Sequence, residues 1–162
     1  MSPLLIDANV LIDFLNTGNL NVLEEYSQNV APVEVLDMIV GEIKEIDELS
    51  ISESGLNLRE TEFDILENCL NLANAEPSMS FEDHCVFETA RQNQFGIITG
   101  ERKMIAKAAR ENIAVIRGFR VIYELCDKQL ILKEDGISIV KQIVEYNPYF
   151  NDSIRDDFLK LF

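Results

Sequence analysis

Residues 4–15, Leu4-Leu5-Ile6-Asp7-Ala8-Asn9-Val10-Leu11-Ile12-Asp13-Phe14-Leu15, decide the fold. A short apolar run ends in a carboxylate, and helix-like spacing starts directly behind it and continues to a stop at Gly18. Strand, tight turn and helix account for that pattern. An unbroken apolar run, rather than an alternating one, is what a strand buried on both faces needs. The same signature returns at Gly96-Ile97-Ile98-Thr99-Gly100 and at Ile113-Ala114-Val115-Ile116, each with a helix-like stretch behind it.

Working outward, an apolar stretch from Val30 through Val35-Leu36 leads into Ile39-Val40-Gly41-Glu42-Ile43, where Ile39, Ile43 and Ile46 share one helical face and Glu42 projects from it. Leu49-Ser50-Ile51-Ser52 reads as a short strand, and Phe63, Leu66, Leu70 and Ala73 as the apolar stripe of a helix. Ser80-Phe81-Glu82-Asp83 has capping-box form and opens a helix bearing Val86, Phe87 and Ala90. Two further helix faces follow, at Met104, Ile105, Ala108 and Ala109 and at Phe119, Ile122, Leu125 and Cys126. Residues 131–162 form two amphipathic helices broken near Pro148. The prediction is one α/β domain over 1–162: a three-layer α/β/α sandwich with a mostly parallel sheet, residues 1–130 as core and 131–162 as a helical extension.

Composition sets bounds on function. A chain of 162 residues with 47% hydrophobic content can bury a sizeable core. No apolar run approaches the roughly 18 residues a membrane span needs, and MSPLLID carries no basic segment ahead of a hydrophobic stretch, so the expectation is a cytoplasmic chain without membrane contact. Cys69, Cys85 and Cys126 lack CxxC spacing and read as reduced, buried thiols. The net charge of −15, from 14 Lys and Arg against 29 Asp and Glu, repels a polyanion at long range. A nucleic-acid role therefore needs a cation in an acidic pocket to reverse the local sign, while a basic protein partner is drawn to the surface as it stands.

In an open α/β sheet, ligands bind beyond the carboxyl ends of the strands. Asp7 closes the first strand, and Glu101 follows Ile97-Ile98-Thr99 after one glycine. Asp83 in a first helical turn and Glu42 can face the same edge. Clustered carboxylates raise one another's pKa unless a cation intervenes, and an all-oxygen donor set suits Mg²⁺ or Mn²⁺. Each acid also has a plainer explanation. Asp83 can complete the capping box, Glu42 can belong to a solvated face with Glu45, Asp47 and Glu48, and Glu101 can answer the helix dipole. Asn9 can cap its helix. Asp7 resists such an account, because a carboxylate straight after Leu-Leu-Ile is poorly solvated unless it faces a polar cleft. His84 is the sole histidine, which excludes mechanisms with paired histidines and suggests an incidental surface residue.

Taken in order, Leu5 to Asp13, Glu42 within Ile39-Val40-Gly41-Glu42-Ile43, Asp83 seven residues before Ala90, and Ile97 to Met104 resemble the PIN-domain ribonucleases over about residues 4 to 130. The resemblance implies metal-dependent cleavage of RNA, with Asp7, Asp83, Glu101 and Glu42 as catalytic metal ligands and Asn9 and Thr99 orienting them. It further implies Mg²⁺ or Mn²⁺ as cofactor, a toxin whose antitoxin partner covers the pocket, and a homodimer formed through the helices. The family usually has Asp where this chain has Glu101. That departure leaves open a PIN-like fold that binds without cleaving. A haloacid-dehalogenase-like phosphohydrolase fits worse, because it wants a second acid where Asn9 stands and a later acid pair where Thr99-Gly100-Glu101-Arg102 supplies one. A phospho-receiver domain wants Lys where Arg117 follows Ile116.

Overall fold

The computed structural model describes residues 1–44 and 46–162. Its strands are β1 (Leu4–Ile6), β2 (Val33–Leu36), β3 (Asn57–Arg59), β4 (Gly96–Ile98) and β5 (Val115–Ile116). Its helices are α1 (Ala8–Asn16), α2 (Leu20–Asn29), α3 (Asp37–Val40), α4 (Glu48–Glu53), α5 (Phe63–Ala75), α6 (Phe81–Asn93), α7 (Arg102–Arg110), α8 (Gly118–Asp127), α9 (Lys133–Tyr146) and α10 (Asp152–Leu159). The strands form one all-parallel sheet in the order β3-β2-β1-β4-β5. Helices α1, α2, α8 and α9, with α10 against α9, make one layer; α5, α6 and α7 make the other. The result is the three-layer α/β/α sandwich that the unbroken apolar runs predict.

The central pair shows why those runs are unbroken. Leu4, Leu5 and Ile6 of β1 lie opposite Gly96, Ile97 and Ile98 of β4, and Leu5, Ile6, Ile97 and Ile98 are fully buried. A strand covered by helices on both faces has no solvated side on which to place a polar residue. The chain steps outward from β1 to β2 and β3, then crosses back to place β4 and β5 on the far side of β1. The β1–β4 boundary is thus the point where the winding reverses, and in open α/β sheets the ligand crevice lies there, beyond the carboxyl ends of the strands.

Several expectations change. Residues 49–52 belong to helix α4, not to a strand, because Asp47 caps that segment by accepting a hydrogen bond from the Ser50 N–H at 2.8 Å. The third sheet strand is the polar edge segment Asn57–Arg59, tied to β2 by the Arg59–Glu34 ion pair. The helix over Ile39 to Ile46 stops at Val40 with Gly41 as its C-cap, so Glu42 sits in a turn, although Ile39, Ile43 and Ile46 are buried as their spacing asks. Glu45, counted in the same acidic face, lies outside the described residues. Helix α5 is rotated from its expected stripe: it buries Ile65 and Cys69 and leaves Phe63 and Leu70 exposed. His84 is not a surface residue but fully buried, its Nε2 3.0 Å from the Glu76 carbonyl. Cys69 and Cys85 are buried free thiols, whereas Cys126 is only half-buried. No described helix is long and apolar enough to cross a membrane.

Candidate metal centre at the carboxyl edge of the sheet

Asp7 follows the last residue of β1 and is the N-cap of α1. Its Oδ1 accepts from the Val10 N–H at 2.8 Å, and its Oδ2 accepts from the Thr99 hydroxyl. Its own N–H donates to the Ile98 carbonyl at 3.0 Å, so the residue is locked across the β1–β4 seam. Thr99 is fully buried, and its oxygen accepts from the Glu101 N–H at 3.0 Å, which fixes the turn carrying Glu101 into α7. One hydroxyl therefore positions two of the four predicted acids.

Asp83 reaches this edge from the first turn of α6. The Asp83 N–H donates to Ser80 Oγ at 3.1 Å, so the capping arrangement seen in the sequence is present. Capping and presentation of Asp83 at the edge are one geometry, because the N-cap sets where the first turn begins. Ser80→Ala is expected to cost about 1 kcal/mol in urea unfolding.

Burial pushes the Asp7 carboxyl up to about 6 against hydrogen bonds from Thr99 and Val10 that favour its anion, and the charges of Asp83 and Asp13 push the same way. Burial also raises Asp83, with Glu101 and Glu82 adding repulsion against the help of Ser80. Asp7 thus feels the charge of Asp83, and Asp83 in turn feels that of Glu101. Glu42 stands at the margin of these acids: a hydrogen bond to Glu82, with lesser contributions from burial and charge repulsion, pushes its carboxyl up to about 7. That bond helps hold Glu82 below its ordinary range. Asn9 is exposed at the second residue of α1 and does not cap it, since Asp7 fills that role.

Of two further acids at this edge, Asp13 reads from the sequence as a pocket-rim or structural residue, one turn into the first helix, and Glu82 escaped the sequence reading. Glu82 links Glu42 to Asp83, and its signal was its place beside Asp83 in the first turn of α6. Asp13 is buried one turn into α1 and pushed up to about 6 by burial, against a hydrogen bond from Asn147 Nδ2 at 2.9 Å. Asn147 lies in a segment 134 residues away, so no local pattern announces that contact.

The donors are carboxylate oxygens, and the innermost is destabilised as an anion by burial and by like charge. Both facts fit a hard divalent cation. Among the described residues no three His, Cys, Asp or Glu side chains converge tightly enough to enclose an ion. That is compatible with Mg²⁺, which keeps several waters and takes one or two carboxylates. A surface cavity of about 770 Å³ lies at the opposite edge of the sheet, between Leu4, Gly96, Ala114 and Glu124, and none of these acids lines it. No family model matches the chain and no curated protein does, so the crevice is interpreted from its own residues.

Proposed function

We propose that the protein is a divalent-metal-dependent endoribonuclease of the PIN type, acting as the toxin of a toxin–antitoxin pair. The observation that carries this is Asp7: a buried carboxylate at the winding reversal of the sheet, held by Thr99 and repelled by Asp83, which is itself repelled by Glu101. The ordered PIN-like set of residues supports the same function. Asp7, Asp83 and Glu101 would hold Mg²⁺ or Mn²⁺, with Glu42 and Glu82 at the margin. When bound, the ion would polarise a phosphodiester and stabilise charge on the leaving oxygen.

The chain's own contribution is positional. Thr99 and the Val10 N–H fix both oxygens of Asp7, so that carboxylate does not reorganise when charge develops nearby. The cap at Ser80 and the Thr99 turn bring Asp83 and Glu101 alongside from other elements. An antitoxin would meet a surface of net charge −15, and an Arg placed in the crevice could pair with its carboxylates in bidentate fashion.

The test is cleavage of single-stranded RNA by the purified protein with Mn²⁺ and with chelator, beside calorimetric titration with Mn²⁺. Cleavage that appears with Mn²⁺ and vanishes with chelator is expected. Metal binding without cleavage would instead select the reading in which the Glu101 departure has left a binding protein.

A further inference from the structure

An acidic protein that cleaves RNA must hold a polyanion somewhere, and its cations are unevenly placed. Helix α7 carries Arg102, Lys103, Lys107 and Arg110 and no acid. Lys107 is paired with Glu76. Arg102, Lys103 and Arg117 are exposed, and among the described residues none has a carboxylate at ion-pair distance. Arg102 and Lys103 open the helix that follows β4, and Arg117 directly follows β5 as the N-cap of α8. All three therefore stand at the carboxyl ends of neighbouring strands, on the edge that holds Asp7. The rim is polarised: anionic where Glu42 and Glu82 sit, cationic beyond Glu101.

A second feature lies on the same rim. Tyr149, in the segment between α9 and α10, is 91% exposed. That segment is anchored at both ends to helices that start at this edge, α1 and α8. The Tyr149 N–H donates to Asn147 Oδ1 at 3.0 Å, Asn147 donates to Asp13 at 2.9 Å, and the Phe150 ring packs 4.9 Å from that of Phe119, two residues past Arg117. An aromatic ring held out in solvent, on a loop anchored to the helix that Arg117 caps, joins the unpaired cations in the combination that binds single strands: cations take the phosphates and the ring stacks a base.

We infer that single-stranded RNA leaves the crevice across the β4–β5 side of the rim, with Arg102, Lys103 and Arg117 on its phosphates and one base stacked on Tyr149. This rests on the nuclease function proposed for the crevice. It assigns a polarity to the substrate path, because the Glu42–Glu82 side repels the backbone.

The experiment is fluorescence anisotropy with a labelled, cleavage-resistant phosphorothioate single-stranded RNA of about eight nucleotides, with Mn²⁺ present so that the charge of the acidic pocket is reversed while the strand stays whole. Arg102→Gln/Lys103→Gln/Arg117→Gln is expected to bind about 100-fold more weakly at 0.1 M salt, from roughly fivefold for each neutralised phosphate, and to lower the salt slope of log Kd by about 2. Tyr149→Ala is expected to lose about tenfold and Tyr149→Phe almost nothing, because stacking needs the ring and not the hydroxyl. Circular dichroism identical to wild type would show that these surface variants fold. An unchanged Kd and slope in the triple variant would overturn the proposed path, as would failure of the wild type to bind. A wild type that binds through these residues yet never cleaves with Mn²⁺ would uphold the path and refute the nuclease.

Discussion

Asp7→Asn is expected to stabilise the metal-free protein by about 3 kcal/mol at pH 7.5 while lowering Mn²⁺-dependent cleavage by about a thousandfold or more. The stability half follows from the buried carboxyl, raised from 3.8 to about 6. Between those two values the folded chain holds a proton that the unfolded chain has already released, so stability falls as pH rises through the window. The penalty is complete above pH ~7 and absent below pH ~4, and Asn removes it. Asn can still accept from the Val10 N–H and offer Thr99 a polar partner, so the local bonds are largely conserved. Urea unfolding in chelator at pH 4 and pH 7.5 checks the sign: the variant should gain at the higher pH and differ little at the lower. Mn²⁺ at about a hundred times its Kd should then return ~2.7 kcal/mol to the wild type and almost none to the variant. A variant that is less stable at both pH values would refute the account of Asp7 as a strained, cation-seeking anion.

Thr99→Val tests the other half of the same bond. Valine matches the shape but removes a donor to the buried Asp7 carboxylate and an acceptor for the Glu101 N–H. The expected cost is about 1.5–3 kcal/mol at pH 7.5, the usual range for a lost hydrogen bond to a charged group. The cost should shrink toward pH 5, where Asp7 is protonated, and the Asp7 pKa should climb above its value near 6. Thr99→Ser keeps the hydroxyl and should lose far less. In a double-mutant cycle, the cost of Thr99→Val should fall in the Asp7→Asn background, because the charge that needs the hydroxyl is gone. Equal costs in both backgrounds would mean that Thr99 acts through packing alone.

The parts of the fold that were legible are those where burial dictates composition. Leu4-Leu5-Ile6 and Gly96-Ile97-Ile98 pair at the centre of the sheet, and no polar residue is tolerated there. The edges were not legible in the same way. Asn57–Arg59 is an edge strand with a solvated side, so its residues carry no apolar run, while Ile51, buried in α4, lent residues 49–52 the look of a strand. Among site residues, Asp7 stood out because a strand-ending acid is costly unless it is used, and the structure places it in the crevice. Glu42 was assigned to a helix that Gly41 ends, and it turns toward Glu82. The closure of the rim by Asn147 and Phe150 depends on packing between distant segments, which local pattern does not encode.

The bond between Thr99 and Asp7 joins residues 92 positions apart. A ribosome adds roughly 5–20 residues per second, so on the order of 5–20 s pass between the emergence of β1 and the arrival of its second neighbour. During that interval β1 can pair only with β2, and its carboxyl end faces water where β4 will lie. The nascent chain thus lacks the Asp7–Thr99 seam, and the site proposed to hold a metal is assembled late in synthesis, when the strand that ends at Ile98 inserts beside the first.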